Sequence, residues 1–153
     1  MGSDATRALV LGAATLTAAL AWLAAQALRV PVRHPSRLVA ELRLAQAAAV
    51  LLAFSAALLA GLSAAHAEVP GAGLDMAFAV VWCGLALMTL VRDASAALGW
   101  LAAGFAGRAV LDLLHLPGWL PGPVPRGYLV ASAVVNAVAA GCCVLPLVQR
   151  RHS

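Results

Sequence analysis

Five long stretches of apolar residues, parted by short polar or proline-bearing links, set the pattern of this chain. They cover about residues 8–28, 44–65, 74–91, 96–116 and 127–148, and none alternates apolar with polar positions as a half-buried strand does. A helix of roughly 20 residues crosses the hydrocarbon core of a bilayer, which is about 30 Å thick. Each run has that length or nearly so. The pattern predicts an all-α, polytopic membrane protein, a compact bundle of about five transmembrane helices in a single domain spanning residues 1–153.

The links refine this expectation. The first holds Arg29, Pro31, Arg33, His34, Pro35 and Arg37; Ser36 is placed to cap a second helix, with Arg37 and Glu41 spaced i,i+4 and Arg43 following. The second link, residues 66–73, carries His66, Glu68, Pro70 and two glycines but no arginine. Arg92-Asp93-Ala94-Ser95 leaves room for little beyond a turn, so helices three and four are expected to be antiparallel neighbours. Residues 117–126 contain alternating prolines and are expected to form an extended, semi-rigid link, with Trp119 and Tyr128 flanking the membrane as an aromatic belt. Pro146 is expected to bend or end helix five.

The first run also has a signal-peptide reading, because Ala25-Gln26-Ala27 has the form of a cleavage site. Asp4 weakens the positive leader supplied by Arg7, and the arginine cluster directly after the run resists translocation, so retention as a helix is the expectation.

Composition excludes a water-soluble fold. Of 153 residues 63% are hydrophobic and 10% charged, and mean hydropathy is +0.94; a soluble domain carries roughly a quarter charged residues. All ten basic residues are arginines, and the net charge is +4. They stand at the ends of apolar runs without interleaved aromatics, so nucleic acid is not the expected partner; the lipid bilayer is. With the N-terminus outside, Arg29, Arg33, Arg37, Arg43, Arg92, Arg150 and Arg151 face the cytoplasm and only Arg7 and Arg126 face out. This asymmetry predicts an N-out/C-in topology. Arginine and alanine bias without lysine points to a GC-rich bacterial coding sequence, hence to the bacterial inner (plasma) membrane as location.

Candidate chemistry concentrates on helix four. Arg108, Asp112 and His115 are spaced i, i+4, i+7 and share one face. On insertion scales an arginine or aspartate at the centre of a span costs about 2.5–3.5 kcal/mol, against a gain of about 0.3–0.6 per leucine, so that face must meet protein or water. Together with Asp75 and Asn136, these three are the expected ligand-binding set of an outward-facing polar pocket, to which Ser132, His66 and Glu68 could add. The structural alternative is that Arg108 and Asp112 neutralise each other and lock the bundle through a neighbour such as Asn136. No catalytic residue can be named and no cofactor is implied.

Metal ligation by His66, Glu68, Asp75, Asp112 and His115 has no supporting spacing. Cys142 and Cys143 project about 100° apart, so that one can face a neighbour and the other lipid. A phosphate-binding glycine loop, a nucleophile elbow and a facing pair of haem histidines are all missing. The expectation is therefore a small integral membrane protein, structural, accessory or lipid- and small-ligand-binding, partnered by a second copy or another membrane subunit. A membrane-embedded enzyme acting on a lipid or isoprenoid, and a transporter or channel subunit, are the alternatives.

Overall fold

A computed structural model describes residues 3–122 and 124–152, with side chains of residues 3–10 and 13 excepted; the expectations resting on Asp4, Arg7 and Pro123 lie outside the described residues. The described backbone forms five helices: α1 Ser3–Arg29, α2 Ser36–Ala65, α3 Ala72–Thr89, α4 Ala94–His115 and α5 Arg126–Arg151. Four of them, α2 to α5, are long and apolar enough to cross a membrane, the pattern of a multi-pass membrane protein.

Helix α2 is the hub. It touches each of the other four, while α4 packs most extensively on α5, α3 bridges α2 and α4, and α1 lies against α2 and α5. What lets α2 occupy this place is its small face: Ala45, Ala48, Ala49 and Ala56 are each no more than 4% exposed, beside Leu44 and Leu52 at 0%. Alanines at i, i+3, i+4 spacing let backbones approach closely, which supplies van der Waals contact where the hydrophobic effect between helices is missing. Gly104 and Gly107 act alike on α4, since a Cβ there would stand 2.7 Å from Leu85 Cδ2 and 3.0 Å from Trp82 Cη2 respectively.

Large apolar side chains point the other way. Val80, Val81, Leu87 and Met88 on α3, Val110 and Leu113 on α4, and Val130 and Val134 on α5 are all more than half exposed. Inside, by contrast, lie Arg37, Glu41, Asp75, Arg108, Asp112 and Asn136, each at 2% or less. A greasy exterior around a small and polar interior is unfavourable in water and favourable in lipid.

Three local expectations are corrected. Ser36 does not cap α2: it is the first helical residue, with no capping bond, and its hydroxyl and backbone N–H both contact His34 Nδ1, at 2.6 and 3.2 Å. Pro146 does not end α5, which runs on to Arg151. Cys142 and Cys143 are both buried in the main core, at 7% and 0%, so neither faces lipid. On the third link, Asp93 is the N-cap of α4, accepting from Ala96 N–H at 3.0 Å and from the Ser95 hydroxyl at 2.7 Å. Those bonds hold its carboxyl below the ordinary value of 3.8.

Candidate functional site at the proline-rich end

The ends of the bundle differ chemically. At one, the α2–α3 link meets the proline-bearing α4–α5 link; at the other, the C-termini of α1 and α5 meet the start of α2.

At the proline-rich end, the last turns of α4 bring a charged face against α5 and α3. Arg108 Nη2 lies 3.5 Å from Asp112 Oδ1, one turn apart on α4, with both side chains no more than 3% exposed. From α5, the Ser132 hydroxyl donates to Asp112 Oδ2 at 2.6 Å and Asn136 Nδ2 donates to the same atom at 3.3 Å; the amide also reaches the Ser132 oxygen at 3.1 Å. Ser132 and Asn136 can act together because i,i+4 spacing stacks them on one face. Asp112 is thereby gripped by two helices.

The α3 side is less saturated. His115 Nε2 stands 3.1 Å from Asp75 Oδ1, within ion-pairing distance, yet neither atom makes an aligned hydrogen bond. Its other ring nitrogen, Nδ1, lies 2.8 Å from the Leu111 carbonyl oxygen, so with Nδ1 as the donor a neutral ring would present an acceptor to Asp75, whereas a protonated ring would present a donor. Both Asp75 carboxyl oxygens, and Arg108 Nε and Nη2, are buried without a hydrogen bond. The Tyr128 hydroxyl faces Arg108 and Ser132.

The proline-bearing link closes over this cluster rather than simply extending from it. Gly118 N–H bonds the His115 carbonyl at 3.1 Å to make a turn. The chain then crosses Gly71, whose φ of 92° and a Cβ position only 1.8 Å from the Pro121 oxygen leave space for no side chain. At Gly122 a Cβ would meet Asp75 Oδ2 at 2.8 Å and His115 Cδ2 at 3.2 Å, so backbone lies directly on the polar cluster. Val124 anchors the link in a small apolar cluster with Leu59, Ala79 and Leu129.

All five residues of the expected ligand set, Asp75, Arg108, Asp112, His115 and Asn136, come together here, and Ser132 joins them. His66 and Glu68 do not: both are exposed on the α2–α3 link. His115 does not face water, since its side chain is 7% exposed. Of the aromatic pair, Trp119 is 75% exposed while Tyr128 packs into the small apolar cluster. Among the described residues no group of three or more His, Cys, Asp or Glu is arranged to hold a metal ion.

A second cluster, at the arginine-rich end, was not among the expected site residues. Glu41, fully buried, accepts from Arg37 Nε at 2.6 Å, from Arg150 Nε at 3.1 Å, and also from Arg150 Nη2. Arg37 further donates to the Ala27 and Val30 carbonyls, and Gln149 donates to Leu28, so the free carbonyls closing α1 are met by donors from α2 and α5. The Arg37–Glu41 spacing was visible in sequence; the pairing with Arg150 had no local signal.

Comparison with known protein families, with curated proteins and with solved structures finds no match to this chain.

Proposed function

We propose that the chain is a five-span, N-out/C-in accessory protein of the bacterial inner membrane, whose outer polar cluster binds a small polar molecule or lipid headgroup. The arginine asymmetry supports the orientation, because seven arginines would lie on the cytoplasmic side against two outside. The observation that carries the binding reading is the uneven saturation of the cluster. Asp112 has a partner for each oxygen, which suits a lock between α4 and α5, whereas Arg108 leaves Nε without a hydrogen bond and reaches Asp112 through Nη2 only at 3.5 Å, and Asp75 meets only His115 Nε2, at 3.1 Å and without an aligned hydrogen bond. Partly satisfied buried polar networks are costly and are met mainly where a ligand or water completes them. A ligand suited to this cluster offers an oxygen acceptor to Arg108 and an N–H or O–H donor to Asp75. With no nucleophile and activating base identified together, binding is favoured over catalysis.

The test is mass spectrometry of lipids and small molecules retained by gently purified protein, wild type against Asp75→Asn. A species held by the wild type and lost from a folded variant supports the reading. Identical retention, or no retained species in either, overturns it. Reporters fused to the two termini check the topology: opposite compartments are expected, and a shared one excludes an odd number of spans.

A further inference from the structure

The lipid-facing side between α1 and α2 carries a groove that the polar clusters do not use. Two shallow, half-open stretches of this groove, of about 450 and 490 Å³, adjoin at Leu23. The deeper stretch is walled by Leu16, Leu20, Val50, Leu51 and Phe54; the stretch nearer the arginine-rich end by Gln26, Val30, Ser36 and Arg43. On α2 the groove residues Arg43, Gln46, Val50 and Phe54 follow one another at helical spacing on one face, with the polar pair nearest the helix start.

Depth gives this order a meaning. Arg43 stands about 10 Å along the axis from Ser36, Gln46 about 4–5 Å further in, and Val50 and Phe54 deeper again. From the membrane surface inward, the groove thus offers a cation, an amide and then hydrocarbon. Arg43 and Gln46 make no ion pair or side-chain hydrogen bond among the described residues. An exposed amide just below the membrane surface calls for a polar partner, which an alkyl chain cannot supply. A phospholipid matches the whole sequence: phosphate at Arg43, glycerol ester carbonyls at Gln46 and an acyl chain along Leu20, Leu23 and Phe54. Exposed Arg29 and Arg33 at the same end add positive charge, which favours an anionic headgroup over a zwitterionic one.

We infer that the α1–α2 groove is a binding site for an anionic phospholipid of the leaflet at the arginine-rich end. It is separate from the proline-end polar cluster but rests on the proposed five-span reading, because α1 forms one wall. The experiment is native mass spectrometry of the full chain in detergent, titrated with palmitoyl-oleoyl phosphatidylglycerol or with the corresponding phosphatidylethanolamine. Phosphatidylglycerol adducts are expected at lower lipid concentration. Arg43→Gln should lower that preference about fivefold, the worth of one surface cation against anionic lipid, with phosphatidylethanolamine binding weakened less because its own ammonium already offsets the phosphate charge. Val50→Trp, on a wall that is 67% exposed, should fill the groove and weaken both; Leu113→Trp, exposed on α4 away from it, should weaken neither. Equal binding of the two lipids by the wild type, or unchanged selectivity in Arg43→Gln, overturns the inference. So does a Val50→Cys variant that disulfide-links two chains where the wild type does not, since the groove would then be covered by a second copy.

Discussion

Glu41 offers the sharpest test of how this bundle is held together. In Glu41→Leu, three charge-assisted bonds are lost: one to Arg37 Nε at 2.6 Å, one to Arg150 Nε at 3.1 Å and one to Arg150 Nη2. The consequences for the two arginines differ. Arg150 is 35% exposed on its side chain and can turn toward water or headgroups, so its share is about 0–1 kcal/mol. Arg37 is 1% exposed and cannot leave; it keeps its bonds to the Ala27 and Val30 carbonyls but carries an uncompensated buried charge. Removing one member of a buried pair costs about 3–5 kcal/mol, and the retained carbonyl bonds place this case near the lower bound, about 3 kcal/mol. Arg150→Gln should cost about 1 kcal/mol or less, and Glu41→Gln should fall between, since the amide still accepts but has no charge. Equilibrium unfolding of detergent-solubilised protein by SDS, followed by far-ultraviolet circular dichroism, measures all three. A Glu41→Leu loss below about 1 kcal/mol, or an Arg150→Gln loss equal to it, would refute a buried Arg37 charge as the dominant cost.

Two further predictions use the links. Gly71→Ala should destabilise by at least about 2 kcal/mol, combining a left-handed φ with a backbone collision, because its Cβ would lie 1.8 Å from the Pro121 oxygen; Gly73→Ala, with nothing within 4 Å, should be near neutral, and equal losses for the two would contradict the close crossing of the links. Asp93 is fully exposed, and its carboxyl is lowered by the Ala96 N–H and Ser95 hydroxyl bonds, so its capping contribution is fully present above the ordinary carboxylate value and fades as pH falls through the lowered one. The hydrogen-exchange protection factor of the Ala96 amide should therefore drop under acid in the wild type and be low and independent of pH in Asp93→Ala; an unchanged factor in the variant would remove the cap from the account.

Lipid makes some features easy to read and hides others. Long apolar runs and the links between them are legible because every span must be hydrocarbon-compatible over its whole length. The same demand drives Asp75, Arg108, Asp112 and Asn136 inward, so polar residues inside apolar runs gather into the cluster. The rule fails outside the runs. His66 and Glu68 lie on a link, where water is at hand and nothing compels them to join. The start of α2 near Ser36 and the Arg37–Glu41 spacing were legible, but the burial of that pair against Arg150, 109 residues from Glu41 in sequence, was not. No local pattern encodes that contact. Cys142 and Cys143 defeat the simple angular argument because α5 packs against α4, α1 and α2, so adjacent positions can both face protein.

The two clusters differ in how fully their buried polar groups are paired. Both bury opposite charges in an alanine-rich bundle, and both join helices distant in sequence. At the arginine-rich end both Glu41 oxygens are bonded and Arg37 spends its donors on the end of α1, leaving only Nη2 unused; this cluster fastens three helix ends. At the proline-rich end Asp112 does comparable fastening, but Asp75 beside it meets only His115 Nε2, without an aligned hydrogen bond, and the link that crosses it has a glycine where any side chain would strike the carboxylate. A buried aspartate without an aligned hydrogen bond, next to an arginine whose Nε is unbonded, is a poor way to hold helices together, because hydrophobic residues of similar volume would do so at lower cost. On the binding reading proposed above, Asp75 rather than the more heavily bonded Asp112 is therefore the carboxylate a ligand would engage.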